Sequence, residues 1–264
     1  MPPENQEALQ VCIAVPTIGK SPFFSNLLSE LEEQVKCLAS HPNFNICLIV
    51  VDNRPSPEIR EIVESYKKFQ YFEEFILGYA SSRNRILDCA QNCDFLIMLD
   101  DDMRPSQDWL IGAMKAISSN EAQLYSSSIF TENISSIPTY LQPFFIRSER
   151  LIGKTTPNFG AGNVVIDLNF VKSKSLHFDL KFNKYGGEDL DFFYKMTSHG
   201  AIAKWETSFP AYENHPKERI TFYAVAKREF RSARNYEIVV KNDSFFHSIY
   251  LLFRLGEILI IDLI

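Results

Sequence analysis

The sequence predicts an α/β protein in which helices cover both faces of a mostly parallel central sheet. In its first half, apolar runs of strand length alternate with segments of helical periodicity. These runs are nearly continuous, as in strands that are buried on both faces. The chain of 264 residues is long enough for one such domain, expected at residues 1–240, and an appended segment at residues 241–264.

Four strand and helix pairs are predicted in the first half. The strands are expected at residues 11–17, 46–52, 71–77 and 95–99. The helices are expected at residues 23–38, 57–69, 81–91 and from Ser106, a good N-cap, to Ser118. Ligands of such sheets bind beyond the carboxyl ends of the strands, where polar residues should therefore gather.

The second half of the chain is less regular. Strands are expected at residues 122–130 and 143–148, after a Gly-Ala-Gly loop at residues 160–162, and once or twice within residues 201–216. A Gly-Gly turn at residues 186–187 leads into a helix, and a long helix is expected from about Arg219 to Val240. This half should extend the sheet and cover the site.

Composition argues against nucleic-acid binding and favours the cytoplasm. The net charge of −6 argues against a general nucleic-acid binder that is held by phosphate contacts. The five cysteines lack the paired spacing of a zinc site, so we interpret them as reduced thiols of a cytoplasmic protein. The N-terminus is polar and does not have the pattern of a secretion signal.

The C-terminal segment, residues 241–264, is strongly apolar but contains Arg254, Glu257 and Asp262. These charges make it a poor membrane span. We predict an amphipathic helical segment that contacts a membrane surface or a partner, with packing on the domain as the alternative.

Three adjacent carboxylates, Asp100, Asp101 and Asp102, follow the buried strand FLIML. They repel one another, so a cation is the simplest reason to gather them. Carboxylate oxygens at a strand end suit a hard divalent ion such as Mg²⁺ or Mn²⁺. Asp100 and Asp102 share one side of an extended chain. The alternative is a solvated loop that caps the next helix.

Polar residues also end the first two predicted strands. Thr17 ends the first, and Asp52 ends the second, where its carboxylate can accept hydrogen bonds from a nucleobase or a ribose. An Asx-turn is the alternative for Asp52. Arg83 lies early in the helix that leads to the acidic run and can pair with a nucleotide or its phosphates, or form an ordinary ion pair.

A second acidic pair, Glu188 and Asp189, follows the two glycines at residues 186–187 in the first turn of a helix. One carboxylate there can take a proton from an attacking sugar hydroxyl, and the other can orient the acceptor. Simple stabilisation of the helix start is the alternative. The Gly-Ala-Gly loop allows a close approach to a sugar ring, although an ordinary turn also explains it.

Two further features carry nitrogen or positive charge. His215 follows a predicted strand and can supply a nitrogen ligand to the same cation or contact its phosphates; a structural histidine is the alternative. Arg231 and Arg234 share a face of the last long helix. This face suits contact with pyrophosphate, an anionic lipid carrier or a membrane surface; a solvated helix face is the alternative.

Together these residues resemble the inverting glycosyltransferases of family 2, which have the GT-A fold. VPTIGKSPFFSNLLSELEEQ resembles the opening strand, turn and helix of that family, VVDN its second strand, and ASSRNRIL its Arg-Asn helix. LDDDMRP resembles its DxD motif and GGEDLDF its ED motif. The resemblance covers about residues 10–240. The opening loop PTIGKSP departs from the aromatic and Asn-Arg pattern of many relatives, and Asp191 adds a third carboxylate to the second motif.

The resemblance implies a role for each matched residue. The implied nucleotide-binding residues are Pro16, Thr17, Asp52, Arg83, Asp100 and Asp101. The implied metal ligands are Asp102 and His215. Asp189 would be the catalytic base, with an acceptor contact from Glu188, Gly162 and Asn163; the extra Asp191 leaves the choice of base open.

The function that the resemblance implies is sugar transfer in surface polysaccharide biosynthesis. A metal-dependent, inverting enzyme would use Mn²⁺ or Mg²⁺ and a nucleotide-sugar donor, with UDP as the first choice, and a saccharide or lipid-linked acceptor. It would lie in the cytoplasm or peripherally at the inner face of the membrane, with no nucleic-acid partner. The alternatives are a sugar-nucleotide nucleotidyltransferase and a non-catalytic subunit that binds nucleotide or sugar.

Overall fold

The computed structural model describes residues 7–38, 43–146 and 160–240. The strands are β1 (Leu9–Thr17), β2 (Phe44–Asp52), β3 (Phe69–Glu73), β4 (Phe95–Leu99), β5 (Met103–Pro105), β6 (Leu124–Thr131), β7 (Asn163–Asp167) and β8 (Ala203–Glu213). The helices are α1 (Phe24–Leu38), α2 (Pro57–Glu64), α3 (Tyr79–Cys89), α4 (Trp109–Ser119), α5 (Leu168–Ser173), α6 (Glu188–Ser198) and α7 (Phe222–Val240).

The strands form one sheet in the order β3-β2-β1-β4-β7-β6-β8-β5. β1 is parallel to β2 and β4, β2 to β3, and β6 to β8. Only β7 and β5 of this sheet run against the others. The predicted α/β class with a mostly parallel sheet is therefore confirmed, and the carboxyl ends of β1, β2 and β4 meet at one edge.

The sheet is covered on both faces because successive side chains of a strand point to opposite sides. On β1, Val11, Ile13 and Val15 join a core that contains α1 and α4, and all three are fully buried. Cys12 and Ala14 join the other core, which contains α3, α5 and α6. This two-sided burial explains the continuous apolar runs of the sequence.

Three predicted elements differ from the structure. The helix expected at residues 57–69 ends at Glu64, and the strand expected at residues 71–77 is β3, which begins at Phe69. Of the strand expected at residues 143–148, the described part has no strand; a short 3-10 helix spans Gln142–Phe144 instead. Pro143 lacks the N–H that a strand pairing would use, which accounts for that difference.

The C-terminal prediction for residues 241–264 lies outside the described residues. No helix within the described part of the chain combines the length and the apolar character needed to cross a membrane.

Candidate active site

The acidic run forms a tight turn at the end of β4, and its three carboxylates diverge. The Asp100 N–H donates to the carbonyl of Gly162 (3.2 Å), and the Met103 N–H donates to the carbonyl of Asp100 (3.1 Å). Because the chain turns here, the expectation that Asp100 and Asp102 share one side of an extended strand does not apply. Each of the three residues instead contacts a different element.

Asp101 points to the end of β1. The Thr17 hydroxyl donates to its Oδ2 at 2.5 Å. Burial, helped by the charges of Asp102 and Asp100, raises the pKa of the Asp101 carboxyl to about 7, although the hydrogen bond from Thr17 opposes this shift. The raised pKa therefore reports mainly the burial of Asp101, with a smaller contribution from the neighbouring carboxylates, and a cation bound there would lower it.

Arg83 joins the acidic run to the second acidic pair. Its Nη1 is in direct contact with Oε1 of Glu188, and its Nη2 lies 3.7 Å from Oδ1 of Asp100. The side chains of Arg83 and Glu188 are only 8% and 4% exposed. Arg83 thereby joins three parts of the chain: α3, the turn that follows β4, and the start of α6. The sequence predicted that these residues belong to one site, but not which of them contact each other.

Glu188 and Asp189 begin α6 after two glycines with positive φ, Gly186 (+71°) and Gly187 (+95°). A Cβ on Gly187 would lie 2.7 Å from the Asn235 side chain, so glycine is required for this close approach. The Asp189 Oδ1 accepts the N–H of Leu190 at 2.8 Å. Its Oδ2 faces the backbone of the predicted acceptor loop, 3.7 Å from where a Cβ on Gly160 would lie.

Asp191, the third carboxylate of this motif, has a different environment from Asp189. It is buried, with 6% of its surface exposed, and lies 2.6 Å from the ammonium of Lys195. Asp189 is half-buried. This difference favours Asp189 over Asp191 as a group that meets substrate.

The acidic turn packs closely against Gly162, the residue before β7. A Cβ at this position would lie 2.6 Å from Oδ2 of Asp100 and 2.8 Å from Cε of Met103. The absence of a side chain therefore lets the Asp100 carboxylate lie against the backbone of residue 162.

Asn163 is a structural residue, which corrects its predicted contact with an acceptor. It is fully buried; its Oδ1 accepts from the indole of Trp109 (2.9 Å) and its amide donates to the carbonyl of Phe209 (3.0 Å). Its side chain joins α4 to β7 and β8 and has no surface on which a ligand can bind.

Asp52 is fully buried at the end of β2. Its carboxylate accepts from the N–H groups of Arg54 (2.9 Å) and Ser56 (3.1 Å) and from the hydroxyl of Tyr71 (3.0 Å). The Asx-turn alternative is thus present in the structure, and a nucleobase contact stays a prediction. Pro16, which is half-buried, pairs in register with Val51 beside it.

The His215 side chain is 4% exposed and lies in a packed setting. Its Nε2 lies 3.2 Å from the Thr131 hydroxyl, its Nδ1 lies 3.4 Å from a Glu213 oxygen, and its ring meets Phe145 edge-on. Asp102 instead contacts Arg219, at 3.3 Å. Within the described ranges, no group of three or more His, Cys, Asp or Glu residues is arranged as a metal site, so the metal ligands stay a prediction.

Three contacts of the site were not predicted. Arg219 meets Asp102, and Asn235 of α7 donates to the carbonyl of Gly186 (2.8 Å); neither residue carries a local sequence signal for its contact. Asn53, next to Asp52, holds the loop after β3 by donating to the carbonyl of Ile76 (2.8 Å) and accepting the N–H of Gly78 (2.7 Å). A polar residue directly after a buried strand was the available signal for Asn53.

Comparisons with known proteins identify similar chains. The family profile described as "Glycosyl transferase family 2" matches residues 12–172. The succinoglycan biosynthesis protein ExoM of Rhizobium meliloti is 25% identical over an alignment of 225 residues, and the match covers 78% of this chain and 70% of that protein. The hyaluronan synthase of Pasteurella multocida is 26% identical over 81% of this chain, but the match spans only 25% of the synthase.

Solved structures also share the fold of this chain. The mannosyltransferase PcManGT of Pyrobaculum calidifontis, in complex with GDP-Man and Mn²⁺, aligns with a TM-score of 0.68 at 17% identity over 95% of this chain and 73% of its own. S. aureus TarS 1-349, in complex with UDP, aligns with a TM-score of 0.58 at 17% identity over 95% of this chain and 71% of its own. These similarities give the fold as GT-A.

Proposed function

Since this chain belongs to glycosyl transferase family 2, we propose that it is an inverting, metal-dependent enzyme that transfers a sugar from a nucleotide-sugar donor to a hydroxyl of a saccharide or lipid-linked acceptor. We propose a uridine nucleotide as the first choice of donor and surface polysaccharide as the product. The relatives that are described as a succinoglycan biosynthesis protein and a hyaluronan synthase support the choice of product.

The observation that carries the proposal is the Arg83 cluster. Arg83 contacts both Asp100, in the acidic turn after β4, and Glu188, beside Asp189 at the start of α6. A transferase needs a donor site and a base for the acceptor at a fixed separation. A single buried guanidinium that ties the two carboxylate groups together meets this need.

Asp189 is the proposed base. Its Oδ1 is occupied by the N–H of Leu190, so Oδ2 is the atom that would take the proton of the acceptor hydroxyl. The deprotonated oxygen then attacks the anomeric carbon from the face opposite the leaving nucleotide. The bond from that carbon to the diphosphate breaks as the new bond forms, so the configuration inverts without a covalent enzyme intermediate.

The donor would bind at the carboxyl ends of β1, β2 and β4. Thr17 and Asp101 form one wall of this region through their mutual hydrogen bond. The Oδ1 of Asp52 accepts only one N–H and keeps acceptor capacity, but Asp52 is fully buried, so a contact with the nucleobase requires its carboxylate to become accessible. Pro16 and Arg83 complete the proposed nucleotide-binding set.

The residues present fit a hard divalent cation, Mn²⁺ or Mg²⁺. Asp100, Asp101 and Asp102 offer oxygen ligands, and the side chains of Asp100 and Asp102 are 36% and 25% exposed, so an ion from solvent can reach them. When bound, such an ion neutralises charge on the leaving diphosphate. Asp102 is the proposed metal ligand. His215 can be a second ligand only if its imidazole ring gives up its contacts with Thr131 and Glu213. The description of a structural neighbour in complex with GDP-Man and Mn²⁺ supports this choice.

The test is nucleotide release from UDP-, GDP- and dTDP-sugars, with Mn²⁺ or with EDTA, in the presence of a panel of saccharide acceptors. Asp189→Asn should lower turnover by about 10²- to 10⁴-fold, because general-base catalysis contributes that much, while donor binding is kept. The matched control is Asp108→Asn, an exposed carboxylate that makes no side-chain hydrogen bond to its helix.

Two results would replace the proposal with one of its rivals. Synthesis of a sugar nucleotide from a nucleoside triphosphate and a sugar phosphate would identify a nucleotidyltransferase. Tight, metal-dependent nucleotide binding without release from any donor would favour a non-catalytic binding subunit. Equal turnover by wild type and Asp189→Asn would refute the assignment of the base.

We also propose that the enzyme works in the cytoplasm, at the inner face of the membrane, with the segment at residues 241–264 in peripheral contact. This placement would bring the site near lipid-linked acceptors. The fraction of the native protein that sediments with cell membranes, before and after a high-salt wash, tests the placement.

A further inference from the structure

Helix α7 presents a stripe of aromatic, aliphatic and cationic side chains away from the protein. Its opposite side is buried: Val225 joins a cluster with Ile137 and Leu141, and Val239 packs with Phe182 and Leu190. The outward stripe consists of Tyr223, Lys227, Phe230, Arg231, Arg234 and Ile238. Consecutive members are one to four positions apart, mostly three or four, so they cover one continuous face of the helix.

The apolar members of this stripe are largely exposed. Tyr223 is 74% exposed, Phe230 is 69% exposed and Ile238 is 46% exposed. Within the described residues, no other element covers them. Isolated exposed apolar residues are normal, but three on one helix face form a patch that indicates an interaction surface.

The charges of the stripe are almost all positive. In the described part of the chain, no carboxylate forms a salt bridge with Lys227, Arg231 or Arg234, and Glu237 is the only acid at the edge of the stripe. The neighbouring Arg228 faces the body of the protein, where it pairs with Glu229. A local excess of three cations stands out in a chain whose net charge is −6.

Ordinary solvation does not explain this pattern well. The exposed side of α2 is of the usual kind: Glu58, Arg60, Glu61 and Glu64 mix both signs, and Arg60 pairs with carboxylates. That side carries no aromatic residue. Tyrosine, phenylalanine and arginine are also common in protein–protein interfaces, but lysine is depleted there, so Lys227 and the run of three like charges distinguish the face of α7.

We infer that this face of α7 is a docking surface for an anionic lipid bilayer. Lysine and arginine side chains meet anionic headgroups while their stems and the intervening Tyr, Phe and Ile residues enter the interface. The chain continues directly from α7 into the apolar residues 241–264, which supports lipid as the occupant. The inference concerns a surface outside the proposed site, so it stands or falls separately from the sugar-transfer reaction.

The structure connects this surface to the catalytic helix. Asn235, on the buried side of α7, donates to the carbonyl of Gly186 and touches Gly187 at the start of α6. Arg234, in the stripe itself, lies 5.0 Å over the ring of Tyr185. Docking through α7 would therefore fix the orientation of Glu188 and Asp189 relative to the bilayer.

The test is sedimentation of the full chain with vesicles of phosphatidylcholine alone, or of phosphatidylcholine and phosphatidylglycerol at roughly two to one. The test variant carries Lys227→Gln, Arg231→Gln and Arg234→Gln. The matched control carries Lys67→Gln, Lys174→Gln and Lys217→Gln, which remove the same charge from exposed positions outside α7. Thermal midpoints of all three proteins verify that they fold.

We expect wild type and control to bind the anionic vesicles and the α7 variant to bind about 100-fold more weakly, at about fivefold per cation. Binding of wild type should also weaken steeply as salt rises from about 0.1 M to 1 M, where the screening length shortens from about 10 Å to 3 Å. A second variant with Tyr223→Ser and Phe230→Ser should lose binding without a change in charge.

Several results would overturn the inference. These are no binding of wild type to anionic vesicles, equal binding by wild type and the α7 variant, equal losses in both triple variants, or equal binding to neutral and anionic vesicles. A lipid-free dimer that becomes a monomer in the α7 variant, seen by light scattering, would instead identify a second copy as the occupant. Because none of these measurements uses a nucleotide sugar, they are independent of the enzymatic proposal.

Discussion

The ion pair between Arg83 and Glu188 allows a quantitative test of how the site is held together. Both side chains are almost completely buried, at 8% and 4% exposure. Arg83→Met leaves the Glu188 carboxylate buried without its cation, which typically costs about 3–5 kcal/mol. For a chain of this size, a loss of about 1 kcal/mol lowers the melting midpoint by about 2–4 °C, so a fall of about 10 °C is expected.

Glu188→Gln should cost less, because Arg83 keeps Asp100 at 3.7 Å and the glutamine can still accept a hydrogen bond. About 1–3 kcal/mol is expected for that change. In the double variant the glutamine no longer needs a cation, so the two costs should not add. A coupling free energy of about 2 kcal/mol is expected, within the range of residues that share one network.

The assay is urea unfolding of wild type, both single variants and the double variant, with nucleotide release measured on the same samples. The double variant should recover stability relative to Arg83→Met but not recover turnover, because the tie between the donor and acceptor sides is still missing. Single costs that add to within about 0.5 kcal/mol would refute the reasoning, since they would show that the two groups do not depend on each other.

Three further predictions concern single residues. Asn163→Ala should destabilise the protein by about 2–5 kcal/mol in urea unfolding, because it leaves the indole N–H of Trp109 and one carbonyl buried without partners, and it should not change the KM for acceptor. Gly162→Ala should keep the melting midpoint within a few degrees but lower turnover, because the new Cβ would displace Asp100, whose Oδ2 lies 2.6 Å from its position. In metal-free protein, stability should fall as pH rises from about 4 to about 7, because the folded pKa of Asp101 is raised from 3.8 to about 7, and Asp101→Asn should flatten that dependence.

Each of these predictions has its own control. A change in acceptor KM without loss of stability in Asn163→Ala would restore its predicted acceptor role. Gly200→Ala provides a comparison for Gly162→Ala, because a Cβ there meets no atom within 4 Å, although its φ of +96° will cost some stability. For Asp101, unfolding curves with an unchanged pH dependence in Asp101→Asn would show that another group is responsible, and added Mn²⁺ should remove much of the loss near neutral pH.

Much of the fold followed from local sequence pattern. β4 has the predicted bounds, β1, β2 and α1 lie within a few residues of theirs, and α6 begins directly after the Gly-Gly turn, as predicted. These elements have strong local signals, such as continuous apolar runs or a Gly-Gly turn before two acids. The shift of β3 to Phe69 and the loss of the strand after Pro143 occurred where short apolar runs could be paired in more than one way.

The candidate site was only partly predictable. The acidic turn and the start of α6 could be named from their residues, but the partner of each side chain could not. Arg83 and Glu188 are 105 positions apart, and nothing local to either residue indicates the other. Asn163 has the residue type of a ligand contact, yet its surroundings of Trp109 and Phe209 make it a link between layers of the core.

The sequence by itself determined the α/β class, the strand ends at which chemistry is possible, and the residue types available there, because these depend on periodicity and composition along the chain. Only the tertiary structure decided that one buried arginine ties the two acidic groups, that Asp191 is buried while Asp189 faces the loop at Gly160, and that α7 turns its cations outward. Those outcomes depend on desolvation and pairing between distant segments, and such energies exist only once the sheet brings the segments together.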